Sequence, residues 1–299
     1  MLKNNKAEPR QETKDLHGKL AVITGATSGI GYETAKLYAS HGANVLMINR
    51  NKEKSELLKQ ELEQTYQIPC TYFIADFSHL KEIHAAAEML AQLPMPIDVL
   101  IHNAGVYNTK LHFTDDAIEE VFQVNYLASF IITHRLVEKL KSQEKARVLY
   151  VNSEGHRFAL AGLKLDDLRW QRQHYTGLKS YGSAKTAQLL SLFSFAKVFE
   201  GSAVTINAMH PGDVKTNMGE NNGKLYRFFK HHMINPTSRS PKLSAQALYY
   251  LGVADEVKET TGKFFNFTTL ETPAPHALDQ AMAERLWERS VEMGSAALQ

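Results

Sequence analysis

Ser180-Tyr181-Gly182-Ser183-Ala184-Lys185 sets a phenol and an ammonium four residues apart. On a helix, residues at i and i+4 share a face, so both groups would point into one cleft. A free phenol titrates at about pH 10, too high for proton exchange at neutral pH. A fixed cation beside it favours the phenolate and lowers that value. Tyr181 would then act as base toward an alcohol, or donate a proton to a carbonyl oxygen. The same spacing recurs by chance in unrelated helices, so the pair needs company. Ser153 follows the apolar run that ends in Val151-Asn152. Its hydroxyl could hold a substrate oxygen beside Tyr181, or simply cap a turn. Asn125 sits in a long helical stretch, where asparagine is unfavourable unless something uses its amide. It could carry a water that links Lys185 to solvent, or be an ordinary polar residue.

A second group of residues suits a dinucleotide. Thr24-Gly25-Ala26-Thr27-Ser28-Gly29-Ile30-Gly31 lies where an apolar run gives way to an amphipathic stretch. Glycine lets backbone pass close to a pyrophosphate, and a following helix offers free N–H groups to its charge. The spacing is G-x-x-x-G-x-G, which differs from the usual G-x-G-x-x-G, and a plain glycine loop is the alternative. Asn49-Arg50 ends the second apolar run, where NAD binders hold an acid for the ribose hydroxyl. Arg50 suits a 2′-phosphate through forked, charge-assisted hydrogen bonds, which favours NADP(H). A solvated arginine at a strand end is its plainer reading. Asp76-Phe77 and His102-Asn103-Ala104-Gly105 end the next two runs. Asp76 could accept from an adenine amino group or cap a helix, and Asn103 could face the cofactor or serve a turn.

The elements needed to position these groups are legible as alternating short apolar runs and longer amphipathic stretches, the pattern of an α/β protein with a parallel sheet. Strands are expected at Leu20–Thr24, Asn44–Ile48, Thr71–Ala75, Asp98–His102, Arg147–Asn152, Val204–Met209 and Lys263–Phe267. Helices are expected between them, including a long one from about Thr114 to Leu140 and another from Leu178 to Phe199. The expected fold is a single-domain, Rossmann-type, doubly wound sheet of about seven strands over residues 16–299, preceded by a frayed polar extension at 1–15. No 20–50-residue period and no Pro/Gly/Ser linker divides it.

Composition excludes several other classes. Among 299 residues, 34 Lys+Arg balance 32 Asp+Glu, with no basic block of the kind nucleic acid requires. Met1 to His17 is polar, and no run approaches the length of a membrane span, so a soluble protein without an integral membrane segment is expected. The single cysteine, Cys70, excludes an intrachain disulfide and a multi-cysteine metal site, and fits a reducing, cytoplasmic location. His231-His232 has no second cluster at ligand spacing, so no metal is expected.

Taken together, Thr24–Gly31, Asp76, Asn103-Ala104-Gly105, Asn125, Ser153, Tyr181/Lys185 and Pro211-Gly212 with Thr216 resemble the short-chain dehydrogenase/reductase family, in its order, over about residues 16 to 292. The resemblance implies a catalytic tetrad of Asn125, Ser153, Tyr181 and Lys185. It also implies that Lys185 contacts the nicotinamide ribose, and that the segment carrying Pro211, Gly212, Val214 and Thr216 lies against the carboxamide. A narrower resemblance links the chain to the retinol-dehydrogenase-like branch, which includes the WW-domain oxidoreductase. It rests on Asp15-Leu16-His17-Gly18-Lys19, Asn49-Arg50, Ser153-x-x-His156, Asp166-Asp167-Leu168, Met209-His210-Pro211-Gly212, Gly262-Lys263-Phe264-Phe265 and Arg285-Leu286-Trp287-Glu288. The chain departs from the family in having His102 where many members have a second Asn, and Glu154 after the serine. It also lacks the hydrophobic anchor of the branch's animal retinoid enzymes, so membrane-delivered retinoid is not the expected substrate.

The implied activity is an NADP(H)-dependent interconversion of a carbonyl and an alcohol. The substrate is expected to be small and apolar, covered by a lid at about 218–240 that contains Leu225-Tyr226-Arg227-Phe228-Phe229. The alternatives are a non-catalytic NADP-binding sensor or scaffold of the same fold, and an NAD-linked secondary alcohol dehydrogenase. The family often pairs subunits through its two long helices, which makes a homodimer an expectation that the long segment before Tyr181 could obstruct.

Overall fold

The computed structural model describes residues 8–159, 162–212, 214 and 239–295. The first strand, β1 (Leu20–Thr24), is buried along its whole length, as an unbroken apolar run in a doubly covered sheet must be. It pairs in parallel with β2 (Asn44–Asn49) on one side and β4 (Val99–His102) on the other. With β3 (Cys70–Ile74), β5 (Ala146–Val151), β6 (Val204–His210), β7 (Lys263–Asn266) and β8 (Thr269–Glu271), the sheet order is β3-β2-β1-β4-β5-β6-β7-β8. Strand order reverses between β1 and β4, which opens a crevice beyond their carboxyl ends.

Helices cover both faces. One apolar layer joins the sheet to α1 (Gly29–Ser40), α2 (Lys52–Tyr66) and α7 (Pro241–Val253). The other joins it to α3 (Leu80–Ala91), α5 (Ala128–Lys141), α6 (Gly177–Val198) and α8 (Gln280–Ser295). On this second face Trp287 of α8 meets Phe130 of α5 at 5.0 Å and Phe195 of α6 at 4.8 Å between ring centroids. Among the described residues, no helix is long and apolar enough to cross a membrane.

Three expectations change. The sheet has an eighth strand, because Phe267 turns the chain at φ 52° and β8 returns antiparallel to β7. The long helix begins later than Thr114. The Thr114 N–H bonds the Ile118 carbonyl at 2.9 Å, Ala117 takes φ 57°, and helix starts only at α4 (Glu120–Phe122). A five-residue π-helical stretch, Gln123–Leu127, then separates α4 from α5. Lastly, residues 8–15 are not frayed against solvent. Pro9 is buried, Arg10 bonds Thr268 Oγ1 and Tyr250 Oη at 3.0 Å, and Lys14 pairs with Asp255 at 2.5 Å.

Candidate active site

The glycine turn is closed by its neighbours on both sides of the crevice. Asn49 at the end of β2 is buried, and its Oδ1 accepts from the Ala26 N–H at 2.7 Å. Asn103 at the end of β4 donates from Nδ2 to the carbonyls of Thr24 and Gly25, each at 3.0 Å. The Asn103 and Ala104 N–H groups both reach Thr24 Oγ1 at 3.0 Å. A β-carbon on Gly31 would stand 2.3 Å from the Gly25 carbonyl oxygen and 2.5 Å from Asn103 Nδ2, so only glycine fits. Ser28 precedes α1 without a side-chain cap, and the first turn holds no acid. Its N–H groups are therefore left for an anion, which fits a pyrophosphate.

The other residues expected at a cofactor take mixed positions. Thr27 and Gly29 are partly exposed and Ser28 is exposed, while Ile30 and Phe77 turn their side chains into the two apolar layers. Ile30 and Phe77 can therefore offer only backbone. Arg50 is exposed at the end of β2, beside the Asn49–Ala26 clasp. Asp76 Oδ1 accepts from both the N–H and the hydroxyl of Ser78, at 2.9 and 2.8 Å, so it closes the turn before α3 and does not cap that helix, whose first flanking residue is His79. Ala104 and Gly105 are half-buried at the crevice. Pro211 is buried, Gly212 is exposed at φ 66°, and Val214 bridges in parallel to Arg239. Thr216 and most of the expected lid, including Leu225–Phe229 and His231-His232, lie outside the described residues.

Ser153, Tyr181 and Lys185 converge beyond the carboxyl end of β5. Ser153 caps a short 3-10 helix, Glu154–Phe158, and its Oγ accepts from the Gly155 N–H at 2.9 Å. With the oxygen so engaged, the hydroxyl hydrogen is available to a ligand. A β-carbon on Gly155 would lie 2.8 Å from the Tyr181 ring and 3.1 Å from Ser153 Oγ, which places the phenol directly against the serine turn. Lys185 is 3% exposed and its Nζ donates to the Val151 carbonyl at 2.7 Å, 5.8 Å from the Tyr181 ring centroid. Burial pulls the Lys185 ammonium down to about 7.

Asn125 lies in the π-helical stretch, a local widening that often frees groups for other use. Its Oδ1 accepts from the Val106 N–H at 2.7 Å and its Nδ2 donates to the Val106 carbonyl at 2.9 Å. The side chain is thus spent on fixing the loop after β4. The Asn125 main-chain carbonyl, in turn, accepts from Gln188 Nε2 at 3.3 Å.

Of the further residues at the site, Tyr107 and Glu271 carry no obvious sequence signal, while Glu154, His156 and His210 lie in segments already singled out. The Tyr107 ring stands edge-on to Tyr181, 5.8 Å between centroids. His156 is buried; its Nε2 accepts from the Ala274 N–H at 3.1 Å, so Nδ1 holds the proton and donates to the Ser153 carbonyl at 2.7 Å. Burial lowers His156 to about 4, which keeps it neutral. Glu154, His210 and Glu271 bring ligand atoms within 4.8 Å of one another. His210 Nδ1, however, accepts from the Gly212 N–H at 3.3 Å, so Nε2 carries a hydrogen toward Glu271 Oε2 at 3.1 Å. Arg157 binds the other oxygens, Glu154 Oε2 at 2.9 Å and Glu271 Oε1 at 2.7 Å. Three of the four carboxylate oxygens are thus occupied, while Glu154 Oε1 is buried without a hydrogen-bond partner among the described residues, 3.3 Å from His210 Nε2. The cluster ties the Ser153 turn to β8 and to Pro211-Gly212.

Comparison with known proteins shows the family and the fold. The short chain dehydrogenase profile matches residues 19–164. Retinol dehydrogenase 13 of Homo sapiens is 34% identical over 282 residues, covering 92% of this chain and 84% of that protein. The WW domain-containing oxidoreductase of Gallus gallus is 29% identical over 293 residues, 96% of this chain and 70% of that protein. Among solved structures, a short chain dehydrogenase from Escherichia coli CFT073 complexed with NADPH superposes with a TM-score of 0.68 at 20% identity, covering 86% of this chain and 99% of that one.

Proposed function

Since the chain belongs to the short-chain dehydrogenase family, we propose that it is an NADP(H)-dependent oxidoreductase that interconverts a carbonyl and an alcohol, with Tyr181 as its acid and base. The observation that carries this reading is the packing of Tyr181 on Gly155 beside Ser153, with Lys185 Nζ near the same ring. Ser153 donates its hydroxyl hydrogen to the substrate oxygen and holds it beside the phenol. Tyr181 gives that oxygen a proton in reduction and takes it back in oxidation. Lys185, when charged, stabilises the phenolate left behind.

NADPH, when bound, supplies the reducing equivalent. Gly25, Thr27, Ser28, Gly29 and Gly31, with the backbone of Ile30, would hold its pyrophosphate at the uncapped start of α1. Arg50 would take the 2′-phosphate, Asp76 and Phe77 the adenine side, and Asn103-Ala104-Gly105 the middle of the crevice. Pro211, Gly212, Val214 and Thr216 would flank the nicotinamide. The E. coli neighbour holds NADPH on the same fold, which supports the choice. Tyr107 and the segment at 218–240 would shape an apolar substrate pocket. The single cysteine, Cys70, is buried, and we assign the protein to the cytoplasm on its cysteine usage.

The test is NADPH consumption by the purified protein across a panel of aldehydes and ketones, with Tyr181→Phe beside it. Turnover that falls by about 10²- to 10⁴-fold in a variant that still binds NADPH is the expected result. Equal turnover in both proteins, or NADPH binding without turnover on any substrate, would overturn the reading.

A further inference from the structure

Gln188 stands one helical turn after Lys185 on α6 and is 1% exposed. Its Oε1 accepts from Asn152 Nδ2 at 3.0 Å and lies 3.4 Å from Lys185 Nζ. Its Nε2 donates to the Asn125 main-chain carbonyl at 3.3 Å. Asn152 also donates to the Lys185 carbonyl at 3.0 Å, and its Oδ1 accepts from the Ser153 N–H at 2.8 Å. One buried amide thus touches the lysine side chain, the Asn125 backbone and the residue that holds Ser153.

An amide is a costly filler for a buried position, where a leucine would serve packing without desolvating a polar group. Its orientation is also fixed. A flipped amide would set its NH₂ against the Asn152 NH₂ and the Lys185 ammonium, and its oxygen against the Asn125 carbonyl. The unflipped amide therefore presents an oxygen to Nζ at all times. Lys185 needs that oxygen. Lys185 is only 3% exposed, and among the described residues its acceptors are two neutral oxygens, the Val151 carbonyl and Gln188 Oε1.

Resting on the reading above, we propose that Gln188 is a positioning residue for the reaction: it holds the Lys185 ammonium charged and aimed, and it joins Lys185 to the Asn125 carbonyl through its own amide. The link that sequence reasoning gave to a water on Asn125 is carried, at least in part, by this side chain.

The experiment titrates Lys185 directly, so that it does not depend on turnover. Protein with ¹³C-labelled lysine is followed by NMR against pH, with the Lys185 resonance assigned by its loss in Lys185→Met. Gln188→Glu, close to isosteric, is expected to move the Lys185 titration up by about one pH unit or more, and Gln188→Leu to move it down. The alkaline limb of kcat against pH should move in the same two directions. Should Gln188→Leu fail to fold, Gln188→Glu still decides. A Lys185 titration in folded Gln188→Glu that matches the unsubstituted protein would overturn the proposal. Shifted titrations in a protein that turns over no carbonyl would instead sustain the proposal and count against the reading of the function.

Discussion

Gly155 lies so close beneath Tyr181 that a β-carbon on it would stand 2.8 Å from two carbons of the phenol ring. The Tyr107 ring also stands edge-on to Tyr181, 5.8 Å between centroids. Nearby, a β-carbon on Gly182 would meet the Gly155 carbonyl at 2.8 Å, so the helix and the serine turn touch backbone to backbone. Gly155→Ala must therefore push the phenol away from Ser153. A displacement near 1 Å lowers kcat by about 100-fold. NADPH affinity should hold within about twofold, because the crevice between β1 and β4 is untouched. Steady-state kinetics and a fluorescence titration check both halves, and an unchanged kcat would refute the tight placement.

Arg50 is presented beside the Asn49–Ala26 clasp that fixes the glycine turn to β2. Arg50→Asp replaces a forked cation with an acid that can accept from a ribose hydroxyl and repels a 2′-phosphate. The ratio of NADPH to NADH affinity should fall by about 10- to 100-fold or more. Paired fluorescence titrations measure it, and a ratio that stays put would remove Arg50 from the cofactor site.

Glu119 is almost wholly buried, and burial pushes its carboxyl up to about 7. It caps Phe122 N at 2.8 Å and accepts from Ser180 Oγ at 3.0 Å, next to Tyr181. A raised carboxyl means the folded state binds the extra proton between about 4.5 and 7. Its contribution is complete below pH 4.5 and is lost as pH rises through 7. Glu119→Gln should abolish that loss, and gain on the unsubstituted protein by roughly 3 kcal/mol between pH 5 and 8. Urea midpoints at the two pH values test it, with parallel pH responses as the contrary result.

His102 shows the opposite sign. Burial lowers it to about 3, its Nε2 meets Thr133 Oγ1 at 3.0 Å, and its Nδ1 has no partner among the described residues. Below pH 6.5 the unfolded chain takes up a proton that the folded one refuses, so stability falls as pH drops from 6.5 toward 3. His102→Asn should flatten that acid limb by a few kcal/mol, on the order of one pH unit's worth per unit traversed. Some acid sensitivity stays, because His156 is also held neutral, near 4. Acid titration followed by circular dichroism distinguishes the variant from the unsubstituted protein.

The strands and the reacting groups were legible because doubly covered strands are unbroken apolar runs and ligand residues follow their carboxyl ends. Gly25, Asn103, Ser153 and Pro211 each stand just past such a run. What local pattern could not supply is tertiary. Thr114 to Glu119 has helical composition, yet Thr114, Phe113 and Glu119 pair across a turn instead. β8 has no apolar run to announce it, as two of its three residues are exposed. Gln188 did leave a trace: Lys185, Gln188 and Ser191 recur every third residue in an apolar helix, and all three are buried. A polar stripe on a buried helix face signals a network, and its partners on Asn152 and Asn125 come from distant parts of the chain.

Trp287 of α8 sits among Phe130, Phe195 and His134. Trp287 therefore covers part of α5 and α6 within a single chain, while His134 and Arg135 of α5 stay exposed beside it. A second subunit seeking those two helices would have to peel α8 away first, baring a ring of aromatic side chains to water. Deleting α8 would consequently bare these rings, and a truncated protein should associate more with increasing concentration than the unsubstituted one. The C-terminal helix acts in this respect as a built-in stand-in for a neighbour.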